Sequence, residues 1–198
     1  VDRSELIQEV VDRGYDFLST ARIGTFVDRS YQAICARFPW PFKEESVVVK
    51  APHEFSDLDK ILSVSDTAQE IELRGVDRRS LVSYTATLEE SGEPECWFLE
   101  NDTLKVFPES SNELSIRYLK VPAKLAEAEE PLVPEAWQYL IVDGAVVYCL
   151  RDDDEYSEAR ALQADIDQGI FEMMRALIPR NLQNDATVLR TGGGMDYL

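Results

Sequence analysis

"ARFPWPFKEESVVVK", Ala36 to Lys50, holds the change of period on which the fold turns. Upstream of it, Thr20 is expected to cap a helix in which Ile23, Phe26, Val27, Tyr31, Ile34, Cys35 and Phe38 recur at helical spacing and make one continuous apolar stripe. Pro39 and Pro41 stop that helix, because proline lacks a backbone N–H and disfavours helical geometry in the residue before it. Val47, Val48 and Val49 follow as a β-branched run. The corner Phe38, Pro39, Trp40, Pro41 and Phe42 is therefore expected to pack as core and to fix the joint between helix and sheet.

Working outward, Ser4 before ELIQEVVDR predicts an N-capped helix with Leu6, Ile7, Val10 and Val11 on one face, ending near Gly14. Beyond the corner, Ile61, Leu62 and Val64, then Ile71 and Leu73, read as short strands between turn signals. Asp77 before RRSLVSY suggests one short helix. Cys96–Leu99 and Leu104–Phe107 flank a hairpin turn at Glu100–Thr103, and Leu114–Leu119 is expected to return beside them as a meander. After the acidic linker LAEAEEPLV, Pro134 suits a first helical position for a helix running to Arg151. Asp152–Glu155 is expected to cap and charge a last helix carrying Ala159, Leu162, Ile166, Ile170, Met173, Met174 and Leu177. Three helical stripes separated by a sheet have to cover one another to leave water.

The fold class read from this pattern is α+β. Residues 1–44 and 124–179 form a helical bundle, and residues 45–123 are an inserted small antiparallel β-sandwich or barrel. Residues 180–198 are an extended, flexible C-terminal tail, cut off by Pro179 and loosened by Gly192, Gly193 and Gly194. Its Arg180, Val188, Leu189, Arg190, Met195, Tyr197 and Leu198 offer charge and apolar anchors, so the tail is expected to order on a partner, Ala186–Arg190 adding as a strand to a sheet edge.

Acids outnumber bases 38 to 20 over the 198 residues, a formal net charge of −18. The excess is uneven: 7 acids and 6 bases to Glu44, 16 and 8 from Glu45 to Ala123, 15 and 6 from there on. Grip on nucleic acid needs lysine and arginine to displace counterions, so a DNA or RNA binder is excluded, whereas a surface that repels DNA is compatible. No window approaches a membrane span, and the start VDRSELIQEV lacks a basic end followed by an apolar stretch, so a soluble, unsecreted protein is expected. Cys35, Cys96 and Cys149 are widely spaced, odd in number and set in apolar patterns, which points to core residues and neither disulfides nor zinc.

No catalytic constellation stands out. The single histidine, His53, sits beside Pro52 without a nucleophile motif, DDDE lacks the spacing of an EF-hand loop, and GGG is not framed as a phosphate loop. The reading is a protein that is not an enzyme and carries no catalytic residue, metal or cofactor.

In order, ICARFPWPF, ILSV, IRYLKVPAKL and PLVPEAWQYLIVDGAVVYCLRDDDE resemble the head-to-tail adaptor (connector) proteins of tailed bacteriophages and related gene transfer particles, over about Ser4 to Leu177. The resemblance implies a helical bundle with a β insertion and a ring of identical subunits, commonly twelve, beneath the portal protein. That ring extends the DNA channel, passes DNA without specific binding, and gives the tail or a head-closure protein its docking surface. It also implies a place at the portal vertex or neck of the virion after assembly in the host cytoplasm, with no membrane. The corner would then lock bundle to insertion and hold two docking surfaces at a fixed angle. The alternatives are another ring-forming virion part (a head-closure or tail-terminator protein), a host-side acidic interaction module and, more distantly, an acidic cell-wall hydrolase.

Overall fold

A computed structural model describes residues 1–77, 80 and 92–178. The chain is mixed α+β and divides into two compact units, one made of Val1–Lys43 with the chain from Pro122 onward, the other of Glu44–Val121. Among the described residues the first contains four α-helices and the second two β-sheets.

In the helical unit, α1 (Arg3–Val10) starts two positions earlier than its serine suggests. Asp2, not Ser4, is the N-cap: its carboxylate accepts from Glu5 N at 2.9 Å and the Glu5 carboxylate accepts from Asp2 N at 2.9 Å, a reciprocal capping box. Ser4 instead donates to the Glu127 carbonyl at 3.0 Å. A wide turn, Val11–Tyr15, follows, with Gly14 at φ 102, a conformation that suits a residue without Cβ. Ser19, not Thr20, caps α2 (Thr20–Ala36), its hydroxyl accepting from Arg22 N at 3.4 Å.

Pro134 likewise stands just outside its helix, as the cap of a single 3-10 turn, Glu135–Trp137, that leads into α3 (Tyr139–Asp152). Of the DDDE run only Glu155 stands at the N-cap of α4 (Tyr156–Leu177), and its side chain makes no capping hydrogen bond. Asp152 closes α3, Asp153 is its C-cap, and Asp154 takes a left-handed turn at φ 61 that reverses the chain. Four like charges cannot all sit in one first turn when the preceding helix, driven by Cys149 and Leu150, runs on to use the first of them.

α3 occupies the middle of this unit, with α2 and α4 both packed against it and α1 touching α2 and α3. Its buried residues, from Leu140 through Ile141, Val142, Ala145, Val146, Val147 and Cys149 to Leu150, cover nearly its whole circumference, as a helix enclosed on several sides requires. A Cβ on Gly144 would stand 2.1 Å from Ser30 Oγ, so glycine there sets how closely α2 approaches. Ile34 and Leu140 are buried in one cluster, and Leu162 is half-buried against it, so the three stripes do meet.

The corner closes α2. Trp40 is fully buried, and its indole Nε1 donates to the Ile34 carbonyl at 2.7 Å. Lys43, also buried, donates from Nζ to the Cys35 carbonyl at 3.2 Å. Both acceptors lie in the last turn of α2, where carbonyls lose their helical partners.

The other unit contains β1 (Glu44–Lys50), β2 (His53–Glu54), β3 (Leu58–Asp66), β4 (Ile71–Glu72), β5 (Arg74–Gly75), β6 (Cys96–Glu100), β7 (Thr103–Phe107) and β8 (Glu113–Lys120). They form two four-stranded sheets, ordered β1-β8-β3-β4 and β2-β7-β6-β5. The β6–β7 hairpin turns at Asn101 and Asp102, both with positive φ, as a tight right-twisted hairpin needs. The expected meander fails after it: β8 leaves β7 and inserts between β1 and β3. Leu104 and Val106 of β7 and Leu114, Ile116 and Tyr118 of β8 then bury into one shared cluster, one inward face from each sheet, which no continuous meander would supply. Nor is the pairing wholly antiparallel, since β5 runs parallel to β6. The connection 76–95 is long enough for the crossover a parallel pair requires. The helix expected after Asp77 lies outside the described residues, although the Asp77 carboxylate accepts from Ser80 N at 2.6 Å, as an N-cap does.

At the end of β3, Asp66 is buried with its carboxylate fully engaged. Asn112 Nδ2 donates to it at 2.7 Å, Ala68 N at 2.8 Å and Gln69 N at 3.3 Å. The Asn112 bond, followed by the two backbone bonds, holds its pKa below the usual aspartate value against the opposing effect of burial.

Two outcomes follow for stability. Trp40→Ala should lower the unfolding free energy of the helical unit by about 3–5 kcal/mol, read by denaturant titration with far-UV circular dichroism. Because the folded pKa of Asp66 is depressed, its stabilisation is complete above the unfolded value of about 3.9 and is lost as pH falls through the folded value. An Asp66→Asn variant should therefore show a flatter decline of melting temperature below about pH 4 than the parent chain.

Candidate functional site: docking surfaces

The residues that chemistry would use are held in inert settings. Burial pushes the Cys35 thiol up to about 12, with the Lys43 charge opposing, and the Cys149 thiol up to about 11, with Asp152 adding to it. Burial also raises Cys96. All three are free and buried. His53 is half-buried, its ring edge-on to Phe55 at 4.7 Å. Among the described residues no cluster of His, Cys, Asp or Glu is arranged to hold a metal ion. A recess of about 940 Å³ in the sheet unit is lined by Lys50, Pro52, Phe98, Lys105, Phe107 and Glu109, with Lys105 tied to Glu100 at 2.6 Å.

Of the residues singled out in the sequence, the corner is brought together. Trp40 stacks on Phe42 at 5.5 Å and meets Phe38 edge-on at 5.1 Å, and both rings lie half-buried against the helical core. Pro39 and Pro41 are exposed. Arg180, Val188, Leu189, Arg190, Met195, Tyr197 and Leu198 lie outside the described residues.

Arginine–aspartate pairs stitch the seams between helices. Arg3 grips Asp28 through two bonds of 3.0 and 3.1 Å, Arg13 meets Asp143, Arg22 meets Asp152, and Arg37 meets Asp167 at 2.6 Å. Each pair joins residues far apart in sequence.

At one end of that unit, Tyr15 lies within the field of the α3–α4 turn. Burial raises its hydroxyl pKa, and Cys149, Glu155, Glu158 and Asp153 add to the effect. Phe17, 63% exposed, and Tyr156, 55% exposed, join these acids at the surface. Sequence reasoning missed this pairing of loop and turn, which only the return of α4 along α3 creates. It also missed the edge position of β1, although the D-x-x-E spacing of the Asp2 capping box was readable.

A family model for the SU10 adaptor protein matches residues 2–191. The chain belongs to that family, a family of phage head–tail adaptors. No curated protein matches the chain.

The thiol settings have a direct readout. At pH 8 the folded chain should resist alkylation at Cys35 and Cys149, both becoming reactive only in denaturant, as peptide mass spectrometry would register.

Proposed function

We propose that this adaptor closes into a ring of identical subunits beneath the portal, twelve by analogy, prolonging the DNA channel and presenting a docking surface to the tail or a head-closure protein. The observation that carries this reading is membership of a head–tail adaptor family over nearly the whole chain. Four helices before and after the sheets in sequence favour it over a tail-terminator or head-closure protein, for which flanking helical pairs are not expected. We read the helical unit as a bundle and the sheet unit as an inserted β-sandwich, with the boundary near Glu44 and Val121.

A net charge of −18 per subunit supports a channel wall to which DNA does not adhere, since adhesion rests on cations that displace counterions. The same charge makes free subunits repel one another, so closure depends on a template that holds many copies together. The family also favours a place in the neck of the virion, reached from the host cytoplasm, and a structural rather than enzymatic role. No described helix is long and apolar enough to cross a membrane. Arg180, Val188, Leu189, Arg190, Met195, Tyr197 and Leu198 are proposed as contacts with the portal or a neighbouring subunit.

Electron microscopy of the purified chain mixed with its portal protein tests the reading. Rings on one portal face are expected, with monomers when the portal is omitted at low salt. Raising ionic strength to ~0.15 M, where screening shortens to about 8 Å, should favour closure. A chain that leaves portals bare, or that forms closed rings alone at low salt, overturns it.

A further inference from the structure

Four strands stand at the ends of the two sheets, and three of them, β2, β4 and β5, are two residues long. β1 is the exception. Its seven residues pair with β8 in unbroken register from Glu44 opposite Leu119 to Lys50 opposite Glu113. On its other side no strand pairs with it among the described residues, and no backbone hydrogen bond leaves it there. Proteins blunt such edges by shortness, bulges, proline or central charge, because an open row of amides and carbonyls is a template for another strand. The middle of β1, Ser46–Val49, has none of these, and Val48 is 59% exposed. Its end acids are already neutralised from β8, Glu44 by Arg117 and Glu45 by Lys120 at 3.0 Å.

The chain carries a matching donor. Ala186–Arg190, ATVLR, is a β-favouring run bounded by Asn184 and Asp185 before it and Thr191 and Gly192 after it. Residues 179–198 hold two arginines and two aspartates, a neutral stretch in a chain of −18, so a neighbour accepts it without added net repulsion. The β1 edge, unpaired among the described residues, stands open to such a strand from a second copy.

We infer that Ala186–Arg190 of one copy adds as an antiparallel strand to the β1 edge of the next, with Val188 opposite Val48. This register sets Leu189 opposite Val47 and Thr187 opposite Val49, whose side chains already pack against the sheet core. Arg190 falls opposite Ser46 and within diagonal reach of Glu44. A slip of one residue would send Leu189 to the exposed face, so the face that the strand presents to the core is specified. The contact is heterologous, one patch on each side, and such contacts close into rings when the rotation returns on itself. The inference rests on the ring reading and names the contact between its neighbours.

The test mixes full-length Val48→Cys and Val188→Cys chains on portals under mild oxidation. Val48 is exposed, so its replacement leaves the core intact, and Val48→Cys with Leu189→Cys serves as the wrong-face control. Disulfide-linked dimers between chains are expected in the first mixture, at least ten-fold above the control. Rings that form without that bridge overturn the strand addition while leaving the ring reading standing. A double variant that bridges only within one chain also overturns it. Absence of rings in the parent chain defeats the ring reading and this inference with it.

Discussion

The end of α2 decides how the helical unit closes. A helix that stops in the interior leaves carbonyls without partners, and each costs the desolvation of an unsatisfied acceptor. Here the residues that stop the helix also satisfy it. Pro39 and Pro41 end the periodic hydrogen bonding, and the chain then folds back so that Trp40 and Lys43 reach the carbonyls of Ile34 and Cys35. The indole can be wholly buried because its one polar atom has a partner, and the ammonium because it closes a helix end, where positive charge is favourable. Glu44 then follows as the first residue of β1.

Charge in the helical unit is managed by pairing rather than by balance. Four arginines of Val1–Lys43, Arg3, Arg13, Arg22 and Arg37, are used at seams, each against an aspartate of another element, and the partly buried Arg3–Asp28 pair has the geometry in which such a bond is strongest. Exposed pairs of this kind add little stability each, so their effect is chiefly to fix orientation. Over the whole chain acids still outnumber bases 38 to 20, so the excess is acidic.

Much of this was legible in the sequence because it is local. The stripes of α2 and α4 repeat at helical spacing, the proline corner announces the change of period, and Asn101–Asp102 marks its hairpin. The misreadings sit where a local signal competes with a neighbour. Ser4 looks like a cap until Asp2 and Glu5 are seen to cap each other, and DDDE looks like one helix start until α3 claims its first acid. Strand order was beyond reach, since nothing in the spacing of Leu114, Ile116 and Tyr118 says that they join β1 and β3 and not β7. The candidate surfaces share that limit: the openness of the β1 edge and the meeting of Tyr15 with the acidic turn are products of topology. The singled-out tail residues lie outside the described structure.

The pairing of Glu44 with Leu119 has a further consequence. The strand by which the chain enters the sheet unit and the strand by which it leaves are neighbours in one ladder, so the insertion holds its own two ends together. To the helical unit, everything between Lys43 and Pro122 is a loop already closed, and the entropy of joining distant ends, which grows only slowly with length in any case, falls on the insertion alone. An arrangement of this kind makes the sheet unit a self-contained cassette: a change of length inside it leaves the distance between its two ends, and so the closure the helices require, unaltered.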